Sequence, residues 1–383
     1  MSEATATVPA NAEPFRASAE QAEFRNVLRE FLEAKSPEAA VRRAMETTDG
    51  YEPDVWKQMA GQLGLLGLII PEAYGGVGSG YMNLVVVFEE MGRALLCAPY
   101  FSTVALATNL LLACGDETAG QNYLPGIARG TTIATVALVE AGGRWDEAGV
   151  ALDAARRDGA WMLSGEKLYV TDGHTADLLL VVARTAAGVS VFAVEKGAPG
   201  LSAEAVTTMD LTRKLARVTF ASTPARLVGE DGRGWQAVEG MLDRAAVALA
   251  GEQLGGAARA LEMAVDYASH RIAFGRKIGS YQAIKHKCAN MLAEVESAKS
   301  AAYYAGWAAT EMVDELPIAA RIAKSYCSEA YLHVAAENIQ IHGGMGFTWE
   351  HPAHLYFKRA KTSQLFLGDP AYHRQLLAVR LGI

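Results

Sequence analysis

The residues best equipped for chemistry are a few acids and one arginine in unusual settings. Glu252 stands in the apolar run ALAGEQLGG, where burial would push a carboxyl pKa up towards the range of a general base. The same surroundings also suit a hydrogen-bonded structural acid. Asp243 directly precedes Arg244, and it reads either as a functional acid or as a first-turn acid favoured by a helix dipole. Asp369 precedes Pro370, a pairing that also starts turns ahead of a helix. Arg271 opens the string RIAFGRKIGSYQ; its guanidinium fork suits paired phosphate oxygens, or alone a surface salt bridge. His174, His286, His342 and His373 fall in no HExxH or comparable spacing, so no metal is expected.

The bulk numbers narrow the class of partner. The chain has 383 residues, 51% hydrophobic and 20% charged, as in an ordinary globular protein with more than one domain. A formal net charge of -8 leaves no basic excess to neutralise nucleic-acid phosphates. Cys97, Cys114, Cys288 and Cys327 are scattered, without a CxxC pair. They suggest neither zinc nor a disulfide framework, and they fit a reducing, cytoplasmic setting. The N-terminus has no basic start followed by an apolar core, so it is not expected to be a signal peptide. No apolar run is long enough for a membrane span.

Three textures must position these residues. Residues 1–17, rich in Ala, Ser, Thr and Pro, read as a flexible arm. Residues 18–130 read as helices, with Phe24, Val27, Leu28, Phe31 and Leu32 on one face. Residues 131–228 turn to short runs rich in Val, Leu, Thr and aromatics between Gly and Asp turns. About six or seven strands are predicted there, as a small barrel or sandwich. Residues 229–383 return to long Ala-rich helices, with Gly255-Gly256 as a close-packing point. The fold class is α+β multidomain: a helical domain, a β-domain and a C-terminal four-helix bundle.

RIAFGRKIG, QIHGGMGF and YVTDG, inside that order of textures, resemble the acyl-CoA dehydrogenase family from about residue 20 to the C-terminus. The resemblance implies FAD, and oxidation of an acyl-CoA thioester to its 2-enoyl form. A base takes the α-proton and the flavin takes a hydride from the β-carbon. Arg271 matches the arginine that reaches the pyrophosphate of a neighbouring subunit's FAD. Phe274 and Gln282 match adenine-side contacts. Gln340, Gly343 and Gly344 match a segment where backbone approaches the cofactor closely. Tyr169 would stack beside the flavin and Thr171 would hydrogen-bond near its N5. The resemblance also implies oligomers, and an electron-transfer flavoprotein or similar acceptor.

Two segments depart from the pattern. VEAGGRWD stands where the family has T-E-P-x-A-G-S-D, so Val139 and Trp145 replace hydroxyl residues, and the resemblance implies that Trp145, at the substrate's thioester, would reshape or block that pocket. Leu367 occupies the position of the usual catalytic glutamate, and Ala245 that of the minority glutamate on the long helix. Glu252, seven residues beyond Ala245, shares its helix face about 10.5 Å along the axis. It is the first candidate base, followed by Asp243, whose partner Arg244 would touch substrate, and by Asp369. The alternatives are a half-site subunit, without its own base, of a heterotetramer with a paralogue, as in relatives acting on steroid side chains, or a flavin oxidase or monooxygenase on the same scaffold. Homodimers or homotetramers accompany the self-sufficient reading.

Overall fold

The computed structural model describes residues 19–383; the expected arm of residues 1–17 lies outside them. The N-terminal helices are α1 (Ala19–Lys35), α2 (Glu38–Glu46), α3 (Pro53–Gly61), α4 (Tyr81–Arg93), α5 (Asn109–Cys114) and α6 (Glu117–Ala128). Their apolar faces meet in one core, with Leu28, Met59, Leu84 and Phe88 almost wholly buried. Immediately before α5, Phe101–Thr108 winds as a π-helix. Such wide turns recur at functional sites.

Seven strands follow: β1 (Ala134–Ala137), β2 (Asp153–Arg157), β3 (Ala160–Thr171), β4 (Leu178–Thr185), β5 (Gly188–Glu195), β6 (Leu201–Val206) and β7 (Leu215–Val228). Pairing runs β4-β2-β3-β7-β5, and β5 returns to β4, so five strands close a ring. β1 adds to β4 in parallel and β6 to β7 antiparallel. The expected barrel is therefore present, filled by Leu163, Val181, Phe192 and Val218 among others. Closure leaves few free edges and a rim from which loops can act.

The C-terminal helices are α7 (Gly234–His270), α8 (Gln282–Glu311), α9 (Leu316–His342), α10 (Ala353–Leu365) and α11 (Pro370–Leu381), with a two-strand hairpin, β8 (Ile272–Ala273) and β9 (Arg276–Lys277), between α7 and α8. Glycines set how closely α7 approaches its neighbours. A Cβ on Gly255 would lie 1.8 Å from the Glu89 carbonyl oxygen of α4, and one on Gly92 would lie 2.0 Å from the carbonyl of Glu252. A Cβ on Gly256 would meet the Tyr331 ring of α9 at 2.4 Å. This backbone contact fixes the depth of Glu252 between the helical domains. Among the described residues no helix is long and apolar enough to cross a membrane.

Candidate active site

The rim of the barrel and the middle of α7 enclose two small cavities. β3 pairs regularly with β7 until the register slips between Lys167 and Val170. Inside that bulge Tyr169 adopts φ +54 and turns its ring outward, 53% exposed. Bulges of this kind re-aim a side chain. Two residues on, Thr171 is buried, and its carbonyl accepts from Thr135 Oγ1 at 2.6 Å. Its own Oγ1 is buried without a partner among the described residues. A buried hydroxyl left unpaired is costly, so this atom is set up to meet a group from outside the chain.

The first cavity, about 20 Å³, is lined by Val139, Trp145, Tyr169, Thr171, Met241 and Phe366 among others, and among the described residues no carboxylate borders it. Trp145 packs edge-on against Phe366 with centroids 5.7 Å apart, and its carbonyl accepts from the Tyr372 hydroxyl at 3.3 Å. The bulky ring thus fills space where the resemblance expects a serine. Val139 is buried and brings no hydroxyl. Glu140 faces away from chemistry. It accepts from Lys167 Nζ at 2.6 Å and from the amides of Ala151 and Leu152 at 2.9 Å. Burial raises the Glu140 pKa, but these bonds outweigh it and hold the carboxyl below its usual range.

The second cavity, also about 20 Å³, lies across the Thr171 turn and holds Asp172, Arg213, Glu252 and Arg359. Glu252 does not have the raised pKa expected of it. Arg213 Nη2 donates to both its oxygens at 2.8 and 2.5 Å, and Arg359 Nη1 donates to Oε1 at 3.2 Å. Burial pushes this carboxyl up, but the two guanidinium charges pull it further down, below the usual range. Arg359 also donates to Asp210 at 3.1 Å and to the Thr212 carbonyl at 2.9 Å. The acid expected among apolar neighbours is therefore the hub of an ion network joining barrel, α7 and α10. Apolar neighbours along one helix do not reveal the cations that other elements bring.

The other two acids are engaged as well. Asp243 lies in the third turn of α7, not the first, and accepts from Arg321 Nη1 at 2.5 Å. Burial raises its pKa against the pull of Arg321. Asp369 is exposed and caps α11, accepting from the Tyr372 amide at 2.8 Å. Arg244 is half-buried and donates only a long bond, 3.4 Å, to the Gly240 carbonyl, while its own carbonyl holds the Tyr81 hydroxyl at 2.7 Å. Leu367 is buried with φ +61, a conformation leucine rarely takes. The backbone around it is clamped: His373 Nε2 bonds the Leu367 carbonyl at 2.9 Å and Lys324 Nζ donates to the Gly368 carbonyl at 3.0 Å.

The remaining predicted residues gather at the far end of α7. Arg271 donates its amide to Tyr267, and the Tyr267 ring stacks on His342 at 4.3 Å, so RIAFG and QIHGG meet around one tyrosine. Arg271, Phe274, Gln282, Gln340, Gly343 and Gly344 are all exposed, Phe274 at 97%. A Cβ on Gly343 or Gly344 would meet no atom within 4 Å, and among the described residues no carboxylate pairs with Arg271. Arg271 follows Glu252 by 19 residues of α7, about 28 Å at helical rise. One chain therefore presents two separate half-sites, one at Thr171 and one at Arg271. The unpaired Thr171 hydroxyl and the open arginine–glycine surface both suit a dinucleotide flavin. His174 Nε2 contacts the Thr48 carbonyl at 2.7 Å, and among the described residues no cluster could hold a metal.

Sequence reasoning missed Asp172, Ser102, Arg213 and Arg359. Asp172 is buried at φ +53 and bonded to Ser102 Oγ at 2.6 Å; burial pushes its pKa up to about 6. The one available signal was indirect: an acid in an apolar run needs a cation from elsewhere.

A barrel between two helical domains, with a buried threonine at its rim and an arginine–glycine surface at the end of a long helix, defines the class of flavin-dependent dehydrogenases. Three family models match in order: the acyl-CoA dehydrogenase N-terminal domain over residues 18–131, the middle domain over 135–221 and the C-terminal domain over 232–382. "Acyl-CoA dehydrogenase IpdE2" of Mycolicibacterium smegmatis is 34% identical over 91% of this chain and 96% of its own length. The ChsE4-ChsE5 complex of Mycobacterium tuberculosis superposes with TM-score 0.87 at 27% identity, covering 96% of this chain and 98% of the other. The Tcur3481-Tcur3483 steroid acyl-CoA dehydrogenase does so with TM-score 0.85 at 31% identity, covering 95% and 98%. The chain belongs to the acyl-CoA dehydrogenase family, whose members are FAD flavoproteins.

Proposed function

We propose that this chain takes part in FAD-dependent α,β-dehydrogenation of an acyl-CoA thioester as one half of a subunit pair, with the proton-abstracting carboxylate supplied by its partner. The observation that carries this is the lining of the cavity bounded by Trp145, Thr171 and Met241, which holds no carboxylate among the described residues. Glu252, Asp243 and Asp369 are each committed to an arginine or a helix cap, and Leu367 cannot accept a proton. A general base must lie within hydrogen-bond reach of the proton it removes. The two-chain steroid and ChsE4-ChsE5 assemblies with the same fold make a heterotetramer with a paralogue the favoured form.

In this reading Thr171 Oγ1 and Tyr169 hold the isoalloxazine, while Arg271, Phe274, Gln282, Gln340, Gly343 and Gly344 reach the nucleotide half of the FAD bound mainly by the neighbour. When bound, FAD accepts the hydride from the β-carbon and passes electrons on to an electron-transfer flavoprotein or similar acceptor. The chain's own residues shape the acyl site: Trp145 and Val139 narrow it at the thioester, and Arg244 offers a cation to the substrate. Ala245, Ala246, Ala248, Ala250 and Gly251 make this stretch of α7 mostly small side chains, which suits a bulky acyl group.

The test is flavin bleaching under anaerobic conditions with an acyl-CoA panel. The chain purified alone should show none, and the chain co-purified with a paralogue that keeps the glutamate should bleach fully. Rapid bleaching by the isolated chain would overturn the half-site reading and return attention to an internal base. Oxygen consumption without an added acceptor would favour an oxidase.

A further inference from the structure

The two cavities share a single lining residue. Thr171 borders both. Phe366 borders the first and Phe101 the second, and their rings lie 5.2 Å apart. The Arg213 guanidinium sits against both faces, 5.0 Å from Phe101 and 5.2 Å from Phe366. Glu252 fixes its orientation through Nη2 alone. Its Nη1 is buried and has no partner among the described residues, although the side chain is only 5% exposed. A buried guanidinium N–H without an acceptor is costly, and the two neighbouring rings together with the Glu252 carboxylate restrain the group from swinging away. Among the described residues, the other buried side-chain polar atom without a partner on a residue bordering the same cavity is the Thr171 hydroxyl.

We propose that Arg213 Nη1 is the polar anchor of the acyl pocket and recognises an uncharged oxygen, a ketone or hydroxyl, carried on the acyl group beyond the reacting carbons. This deepens the dehydrogenase reading and rests on it. The side chains lining the first cavity are apolar apart from the Tyr169 and Thr171 hydroxyls and the Trp145 indole N–H, and Arg213 borders only the second. An acyl group that extends from the first cavity past Thr171 and Phe366 into the second would meet the Arg213 guanidinium there, and in an apolar pocket a few such groups set specificity. Charge decides the kind of oxygen. Arg213, Lys214 and Arg359 face Asp172, Asp210 and Glu252 in one cluster, three cations against three acids. A carboxylate would add an uncompensated buried charge, whereas a carbonyl or hydroxyl leaves the balance intact. A cavity of about 20 Å³ holds one water, which the ligand's oxygen would displace.

The experiment is calorimetric binding to the flavin-loaded complex, using linear acyl-CoA thioesters with a ketone at successive carbons and their hydrocarbon parents. One ketone position should bind roughly ten- to a hundredfold tighter than its parent, the worth of one charge-assisted bond. Arg213→Lys keeps a cation for Glu252 but loses the second nitrogen. It should lower Tm, because the buried pair with Glu252 is weakened, and, measured below that Tm, it should abolish the preference so that ketone and parent bind equally. Equal binding of ketone and parent by wild type, or equal loss of both in the variant, would overturn the proposal while the dehydrogenase reading stands. Binding of no acyl-CoA at all would overturn both.

Discussion

Arg213 Nη2 donates to both carboxylate oxygens of Glu252, at 2.8 and 2.5 Å, across the boundary between the barrel and the long helix α7. The pair is almost wholly buried and is shared with Arg359. Such a site favours an ionised, fixed carboxylate over one that exchanges protons with substrate.

Glu252→Gln should therefore act on stability first. Removing one partner of a buried ion network leaves cations uncompensated and costs about 3–5 kcal/mol. Thermal unfolding of the variant should show a fall in Tm of several degrees with flavin present or absent. An unchanged Tm with loss of all flavin reduction would instead restore Glu252 as a base.

Leu367→Glu should confer a base on the isolated chain. The backbone there is already held by His373 and Lys324 at φ +61, so the new carboxyl would start from a fixed position. Burial should keep its pKa raised. Flavin bleaching by acyl-CoA, absent in the parent chain, should appear in the reconstituted variant. A folded, flavin-bound Leu367→Glu that never bleaches would show that the acyl group does not reach this loop.

Thr171→Val separates the apo protein from the holo protein. The hydroxyl is buried and unpaired, so its loss should leave apo stability unchanged or slightly higher. FAD affinity should fall about tenfold, the value of one hydrogen bond. Titration of apo protein with FAD, alongside apo Tm, checks both halves; an apo protein destabilised by more than about 1 kcal/mol would contradict them.

Asp172 should make stability fall with rising pH. Its pKa is pushed up by burial to about 6, above the usual carboxyl value of about 3.9. Between these values the folded state binds a proton that the unfolded state has lost. Stability from this group therefore declines as pH rises through that window and is level above it. The total is about 2–3 kcal/mol at 1.36 kcal/mol per unit. Asp172→Asn should remove that slope in denaturant titrations at pH 4 to 7; an identical slope would place the titration elsewhere.

The three-part architecture was legible because periodicity changes where the fold changes. Ala- and Leu-rich stretches at helical spacing surround a block of short β-branched runs, and Gly255 marked the contact of α7 with α4. RIAFG and QIHGG identified the family because their glycines and arginine face outward, free of the chain's own packing. The roles of the acids were not legible. Glu252, Asp243 and Asp369 look alike in sequence, each an acid in or at the start of a helix. What separates them is Arg213 from the barrel, Arg321 from α9 and the Tyr372 amide of α11, partners that lie 39, 78 and 3 residues away.

The sequence by itself determined which elements form and which surface residues a dinucleotide would meet, since both follow from local pattern and side-chain type. Only the tertiary structure decided which carboxylates are spent and which polar atoms, Thr171 Oγ1 and Arg213 Nη1, are left unpaired. Ionisation and hydrogen-bond satisfaction depend on what folding brings within 3 Å, and no spacing along the chain encodes that.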